Sequence, residues 1–112
     1  MSHPPRELTA TTVAPVFAAL GDGTRLALLA RLSNGQSQSI TQLTRGTGLS
    51  RQGVRKHLAI LEQARLVTSE RVGRESRFAL QSGTLSDASR YLDRASEQWD
   101  DAIGRLKGHV EK

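Results

Sequence analysis

The spacing of apolar residues changes along the chain, and each change marks an element. Val13, Val16, Phe17 and Leu20 share one face of a helix over residues 13–20, with Pro15 tolerated in its first turn. Gly21 stops that helix, and Asp22 is a good N-cap for a second one running to about Leu32. Its inward residues are read as Leu26, Leu29 and Ala30, and Asn34-Gly35 ends it by left-handed capping chemistry. Ser39 and Gln42 have the hydroxyl-to-amide spacing of a capping box, which predicts a short third helix through Arg45. Gly46 and Gly48 break it. Ser50 then caps a fourth helix, with Leu49 and Val54 spaced as a hydrophobic staple. Two short helices joined by a glycine-containing turn form a helix-turn-helix layout.

After Ala64 the period becomes extended. Residues 66–71 and 76–80 read as strands around a turn at 72–75, a two-stranded β-hairpin with arginines near its tip. Residues 85–110 then read as one long helix. Leu85, Leu92, Trp99 and Leu106 recur every seven residues, as do Ala88, Ala95, Ala102 and His109, and Ser89, Ser96, Ile103 and Val110. A sustained heptad predicts a helix-on-helix seam. At about 1.5 Å per residue this helix would extend about 39 Å, farther than a small domain reaches. A second copy is therefore the preferred partner, and packing on its own domain the alternative. The fold class is mainly α: a winged helix-turn-helix with a two-stranded β-wing and a long C-terminal dimerisation helix. Residues 1–12 read as a flexible tail. Residues 13–112 read as one domain, with a core at about 20–82 and dimerisation helices at about 13–20 and 84–110.

Composition narrows the function. The 112 residues include no cysteine, which excludes disulfides, thiolate metal sites and a cysteine nucleophile. No apolar run is long enough to span a bilayer, and the first residues lack a signal-peptide layout, so the expected location is cytoplasmic. The net charge is +5, and the excess sits in the middle third. There, Arg45, Arg51, Arg55, Lys56, Arg65, Arg71, Arg74 and Arg77 face only Glu62, Glu70 and Glu75. That concentration points to a local polyanion site, with a merely solvated basic surface as the competing reading.

The fourth helix carries this charge in an ordered way. Val54, Leu58 and Leu61 point to the core, while Arg51 with Arg55 and Gln52 with Lys56 form i, i+4 pairs on the other side. Arg and Gln at the N-terminal end of a helix can pair bidentately with guanine and adenine in the major groove. Ser50 and the free amides beside it suit a phosphate. Arg71, Arg74 and Arg77 on the hairpin could reach a phosphate or the minor groove, Arg74 farthest, or could instead discourage edge-to-edge strand pairing. Gly53, in the first turn of the fourth helix, is open to two readings: close approach to DNA or simple tolerance. His3, His57 and His109 are scattered, so no metal site is expected, and His57 is read as making a structural or phosphate hydrogen bond. No nucleophile elbow, phosphate loop or metal-hydrolase helix occurs, so neither enzyme activity nor a cofactor is expected.

The stretches around Leu20-Gly-Asp-Gly-Thr-Arg, Leu49-Ser-Arg-Gln-Gly-Val-Arg-Lys-His-Leu, Leu61-Glu-Gln-Ala-Arg-Leu-Val and Phe78-Ala-Leu resemble the ArsR-type winged-helix repressors over roughly residues 13–110. The seam with Trp99, Leu106 and His109 resembles the metal-independent branch. The resemblance implies repression at a palindromic operator by a homodimer built from the first and last helices. That puts Val16 with Leu85, Leu92, Trp99, Ile103 and Leu106 at the interface. It implies that Ser50, Arg51, Gln52, Arg55 and Lys56 contact DNA, with Arg74 at the wing tip. The departures matter too. The family's proline after Asp22 is Gly23, and its glycine before Leu66 is Arg65, which must turn left-handed or close the helix another way. The thiol-sensor cysteine positions hold Ser39 and Thr41, and the zinc-ligand pairs of the last helix are missing. The expected partners are double-stranded DNA, a second copy and an unknown small-molecule effector near Trp99. The alternative function is a winged-helix module binding an acidic protein.

Overall fold

The computed structural model describes residues 9–110, with side chains described through residue 108. Most of the expected tail lies outside the described residues, as do the side chains of His109 and Val110 on the seam. The elements run α1 (Ala10–Leu20), α2 (Gly23–Leu32), β1 (Gln38–Ser39), α3 (Ile40–Thr44), α4 (Arg51–Gln63), β2 (Val67–Val72), β3 (Glu75–Leu80) and α5 (Ser82–Val110). The fold is the expected mainly α winged helix-turn-helix with a long last helix.

Local chemistry sets most helix starts. Asp22 accepts the Arg25 amide at the start of α2, and Ser39 with Gln42 closes a reciprocal capping box on α3. A second capping box, Thr9 with Thr12, starts α1 at Ala10. Helix therefore begins inside the segment expected to be tail, because Thr12 can satisfy the Thr9 amide. Arg65 takes the left-handed form at φ 61. Its amide reaches Glu62 O at 3.0 Å and that of Leu66 reaches Leu61 O at 2.9 Å, the paired bonds of a Schellman motif.

The wing differs from expectation by one strand. β3 pairs antiparallel with β2 on one side and with the two-residue β1 on the other, so the sheet has three strands. β1 was missed because two residues carry no readable period; the neighbouring strand creates it. The turn is tight, with only Gly73 and Arg74 between the strands and Gly73 at φ 64, a primed hairpin turn.

The core lies between α2, α3, α4 and the root of the wing. Leu28, Leu32, Leu43, Val54, Leu58, Leu61 and Leu66 are fully buried. Each such side chain contributes about 1.5–3 kcal/mol of transfer free energy. The inward face of α2 is Leu28, Leu29 and Leu32; Leu26 is 50% exposed and Ala30 is exposed. Leu29 faces inward as the sequence reading has it, but Leu26 and Ala30 do not, because a ten-residue apolar helix offers too little polar contrast to phase it. Val16 is also reassigned. At 5% exposure it belongs to the chain's own core, where α1 packs on α2 and α5, and it is not free for a partner.

Candidate nucleic-acid interface

α4 presents two opposite faces. Val54, Leu58 and Leu61 are buried, while Arg51, Gln52, Arg55 and Lys56 are all exposed. Among the described residues none of these four makes a side-chain hydrogen bond or ion pair, so their donors are available to an outside acceptor. Ser50 Oγ accepts the Gly53 amide at 3.0 Å and retains its own O–H to donate. Gly53 is not demanded by the fold: an added Cβ would meet Ser50 Oγ at 3.4 Å and Leu49 Cβ at 3.8 Å, both ordinary contacts.

The approach from α3 is held by side-chain hydrogen bonds to the backbone. Arg31 Nη1 donates to Leu43 O at 2.8 Å, at the C-terminal end of α3. Thr47 Oγ1 donates to Thr44 O at 2.7 Å and accepts the Leu49 amide at 3.1 Å. Gly46, at φ 78, also lets Arg31 pass: a Cβ there would sit 3.1 Å from Arg31 Nη2. Sequence reading missed Arg31. Its only signal was a charge in the last turn of an apolar helix, where cations complement the dipole.

The register of the wing separates its arginines. Arg71 opposes Ser76, whereas Arg77 opposes Glu70 on the other face. Arg77 is tied into the fold: Nε–H and Nη2–H donate to Ser37 Oγ at 3.0 Å and Ser37 O at 2.7 Å, and Nη1–H to Glu75 at 3.1 Å. Arg71 and Arg74 are exposed and make no such bond among the described residues. The three arginines expected to share one role are thus divided, two facing outward and one clamping the wing to the segment before α3.

Asp22 holds a further electrostatic point. The Arg25 amide hydrogen bond lowers its carboxyl below the usual carboxylate range; burial opposes this, and the charge of Arg25, with that of His57 when protonated, assists it. Among the described residues no group of three or more His, Cys, Asp or Glu is placed to hold a metal ion. Among them, too, no single helix is long and apolar enough to cross a membrane.

Comparison with known proteins supplies the family. A helix-turn-helix domain family matches residues 20–70, the span from the end of α1 through most of β2. The HTH-type transcriptional regulator YuzN of Bacillus subtilis (strain 168) is 40% identical over 65 residues, covering 53% of this chain and 71% of that protein. An ArsR-like transcriptional regulator from Rhodococcus sp. RHA1 is 38% identical and superposes with a TM-score of 0.73, covering 87% of this chain and 91% of that one.

The chain belongs to the ArsR family of transcriptional regulators. It is accordingly a DNA-binding regulator of transcription and not an enzyme. The same architecture recurs at 23% identity in Mb0332 from Mycobacterium bovis, a homodimeric winged helix-turn-helix DNA-binding domain. That match has a TM-score of 0.61 and covers 85% of this chain and 84% of that one, and it shows the fold shared with a possible ArsR-family regulator. Within this ArsR chain the matched span contains α3, the turn and α4, the last of which carries the exposed basic face.

Proposed function

We propose that this ArsR-family chain is a homodimeric repressor acting in the cytoplasm on a palindromic operator, without a metal signal. The observation that carries the reading is the outer face of α4, where Arg51, Gln52, Arg55 and Lys56 stand exposed and unpaired among the described residues. In this reading Arg51, Gln52 and Arg55 read base edges, and Lys56 and the Ser50 hydroxyl hold phosphates. Arg71 and Arg74 take the flanking backbone or minor groove. Arg77 supports the wing from inside.

The dimer is supported by α5. Its first part is held on the body by the buried Ala88 and by the Tyr91 ring, 6.2 Å from that of Phe17. Leu92, Trp99, Ile103 and Leu106 are 44%, 60%, 53% and 65% exposed, a row of large apolar groups awaiting cover. Leu85, half-buried against the core, sits at the edge of that row. The homodimeric Mycobacterium bovis neighbour offers a precedent. Two α4 helices on one face of DNA then sit about 34–36 Å apart. Residues 10–110 act as one domain, and a small-molecule effector would bind near Trp99. Ser39 and Thr41, at the cysteine positions of thiol sensors, favour a signal other than a thiophilic metal.

The test is selection of bound sequences from random duplex DNA, followed by binding curves at two salt concentrations. The expected result is a palindrome whose affinity falls steeply with salt and is weakened in Arg51→Ala. No enriched sequence, with weak binding only at low salt, would replace operator recognition with docking of an acidic protein on the same face.

A further inference from the structure

The guanidinium of Arg25 joins three elements. Nε–H donates to Ala19 O at 2.6 Å and Nη2–H to Ala18 O at 3.3 Å, both in the last turn of α1. Nη1 lies 3.3 Å from His57 Nδ1, on α4. The Arg25 amide also donates to Asp22 Oδ2 at 3.0 Å, and that oxygen lies 3.8 Å from the same His57 nitrogen. The residues in contact are 32 positions apart, and nothing in the local sequence pattern pairs them.

The chemistry of the contact assigns a protonation state. A guanidinium has donors and no acceptor, so His57 Nδ1 can join it only by accepting. With Nδ1 accepting, the imidazole is neutral and carries its proton on Nε2, whereas a protonated Nδ1 faces Asp22 Oδ2 at 3.8 Å instead. His57 follows Lys56 on the exposed face and precedes Leu58 in the core, so its orientation reports the rotation of α4. The charged groups that reach it are Asp22 and Arg25 of α2. α1 offers the Ala18 and Ala19 carbonyls, α3 has no ionisable side chain, and neither Glu70 nor Arg71 of β2 bonds to it. On α4 itself its neighbours are Arg55 and Lys56.

We propose that Arg25 is a positioning residue for DNA reading, fixing α4 to the end of α1 through a neutral His57, so that protonating His57 loosens sequence recognition. The inference rests on base reading by α4. A protonated imidazole donates from both nitrogens and has nothing to offer the guanidinium. Two cations then face each other, and Nδ1–H turns from Arg25 toward the Asp22 carboxylate. The anchor between α4 and α1 opens while the apolar packing of α4 persists.

The sign of the pH response discriminates. A histidine that only added charge near DNA would strengthen binding in acid. An anchoring histidine weakens specific binding in acid. The experiment measures the affinity of the intact protein for the duplex recovered by selection, and for a scrambled duplex, from about pH 7.5 to about pH 5.5. The ratio of specific to scrambled affinity is expected to fall on acidification. His57→Asn, whose Oδ1 can accept in place of Nδ1, should keep the ratio and lose its pH dependence. His57→Leu and Arg25→Met should each lower the ratio about tenfold at neutral pH, and the double variant no further, since they break one contact. Nitrogen chemical shifts of His57 in the free protein should show the Nε2–H tautomer near pH 7.5, a readout independent of DNA and of any folding defect in the variants. An Nδ1–H tautomer, a ratio that holds or rises in acid, or additive losses in the double variant would overturn the proposal. Failure of the wild-type protein to select any sequence would instead remove the base-reading premise, a separate result.

Discussion

Helices α4 and α5 are both amphipathic, yet they resolve their apolar faces in different ways. α4 buries Val54, Leu58 and Leu61 completely inside the chain and turns its cations outward, leaving Ile60 as its single large apolar group in the open. α5 buries Ala88 and Ala95 and leaves Leu92, Trp99, Ile103 and Leu106 in the open. The difference follows from reach. At about 1.5 Å per residue the 29-residue α5 extends about 43 Å, and the domain body can cover only part of it. Amphipathic patterning therefore says that a face will be covered, while length relative to the body says by whom. An apolar row of large residues beyond the reach of its own core is a demand for a partner.

That contrast can be broken in order of effect. Leu58→Ala should cost about 2–5 kcal/mol of folding stability, because it opens a cavity in a face already closed by the chain. Chemical denaturation would measure it, and a loss below about 1 kcal/mol would mean that α4 is not locked into the core as described. Trp99→Ala should leave domain folding nearly intact but weaken self-association by about 2 kcal/mol or more, as expected of a central aromatic anchor. Sedimentation over a concentration series reads this directly. A dimer unaffected by the change would move the interface off the α5 seam.

Arg51→Ala should lower operator affinity by about 1–3 kcal/mol without altering stability, the signature of a side chain facing only outward. Arg77→Met should behave differently from Arg74→Met. Loss of the exposed Arg74 should reduce the salt slope of binding by about one ion, whereas loss of the internally bonded Arg77 should lower stability and leave the slope unchanged.

The smallest effect concerns Asp22. Its carboxyl is held below the ordinary range chiefly by the Arg25 amide, so its contribution is present above the unfolded carboxylate value. That contribution is lost as pH falls through the lowered folded value. Asp22→Asn should therefore flatten the acid limb of the stability curve, as followed by thermal melts from about pH 6 downward. A variant whose melts track the wild type at every pH would show that this cap is not proton-linked.

Much of the fold was legible because its signals are local. The boxes at Ser39–Gln42 and the caps at Asp22 and Ser50 need only three or four residues of context, and they appear where the pattern places them. The left-handed Arg65 was one of two conformations open to a non-glycine at that point, and the paired Schellman bonds select it. The outward face of α4 was legible as well, since its core residues are interleaved with its cations at helical spacing. The phase of α2 was not, and Leu26 was turned the wrong way.

By itself the sequence determined the order of the helices and of the hairpin, the helix-turn-helix spacing, the caps at Asp22, Ser39 and Ser50 and the long heptad, because each follows from local chemistry and spacing. Only the tertiary structure decided the third strand, the burial of Val16, the diversion of Arg77 to Ser37 and the bridge from Arg25 to His57. The strand pairing and the two side-chain bridges join groups 32 to 40 positions apart. A hydrogen bond across such a separation leaves no period in the chain, and only folding brings its donor within about 3 Å of its acceptor.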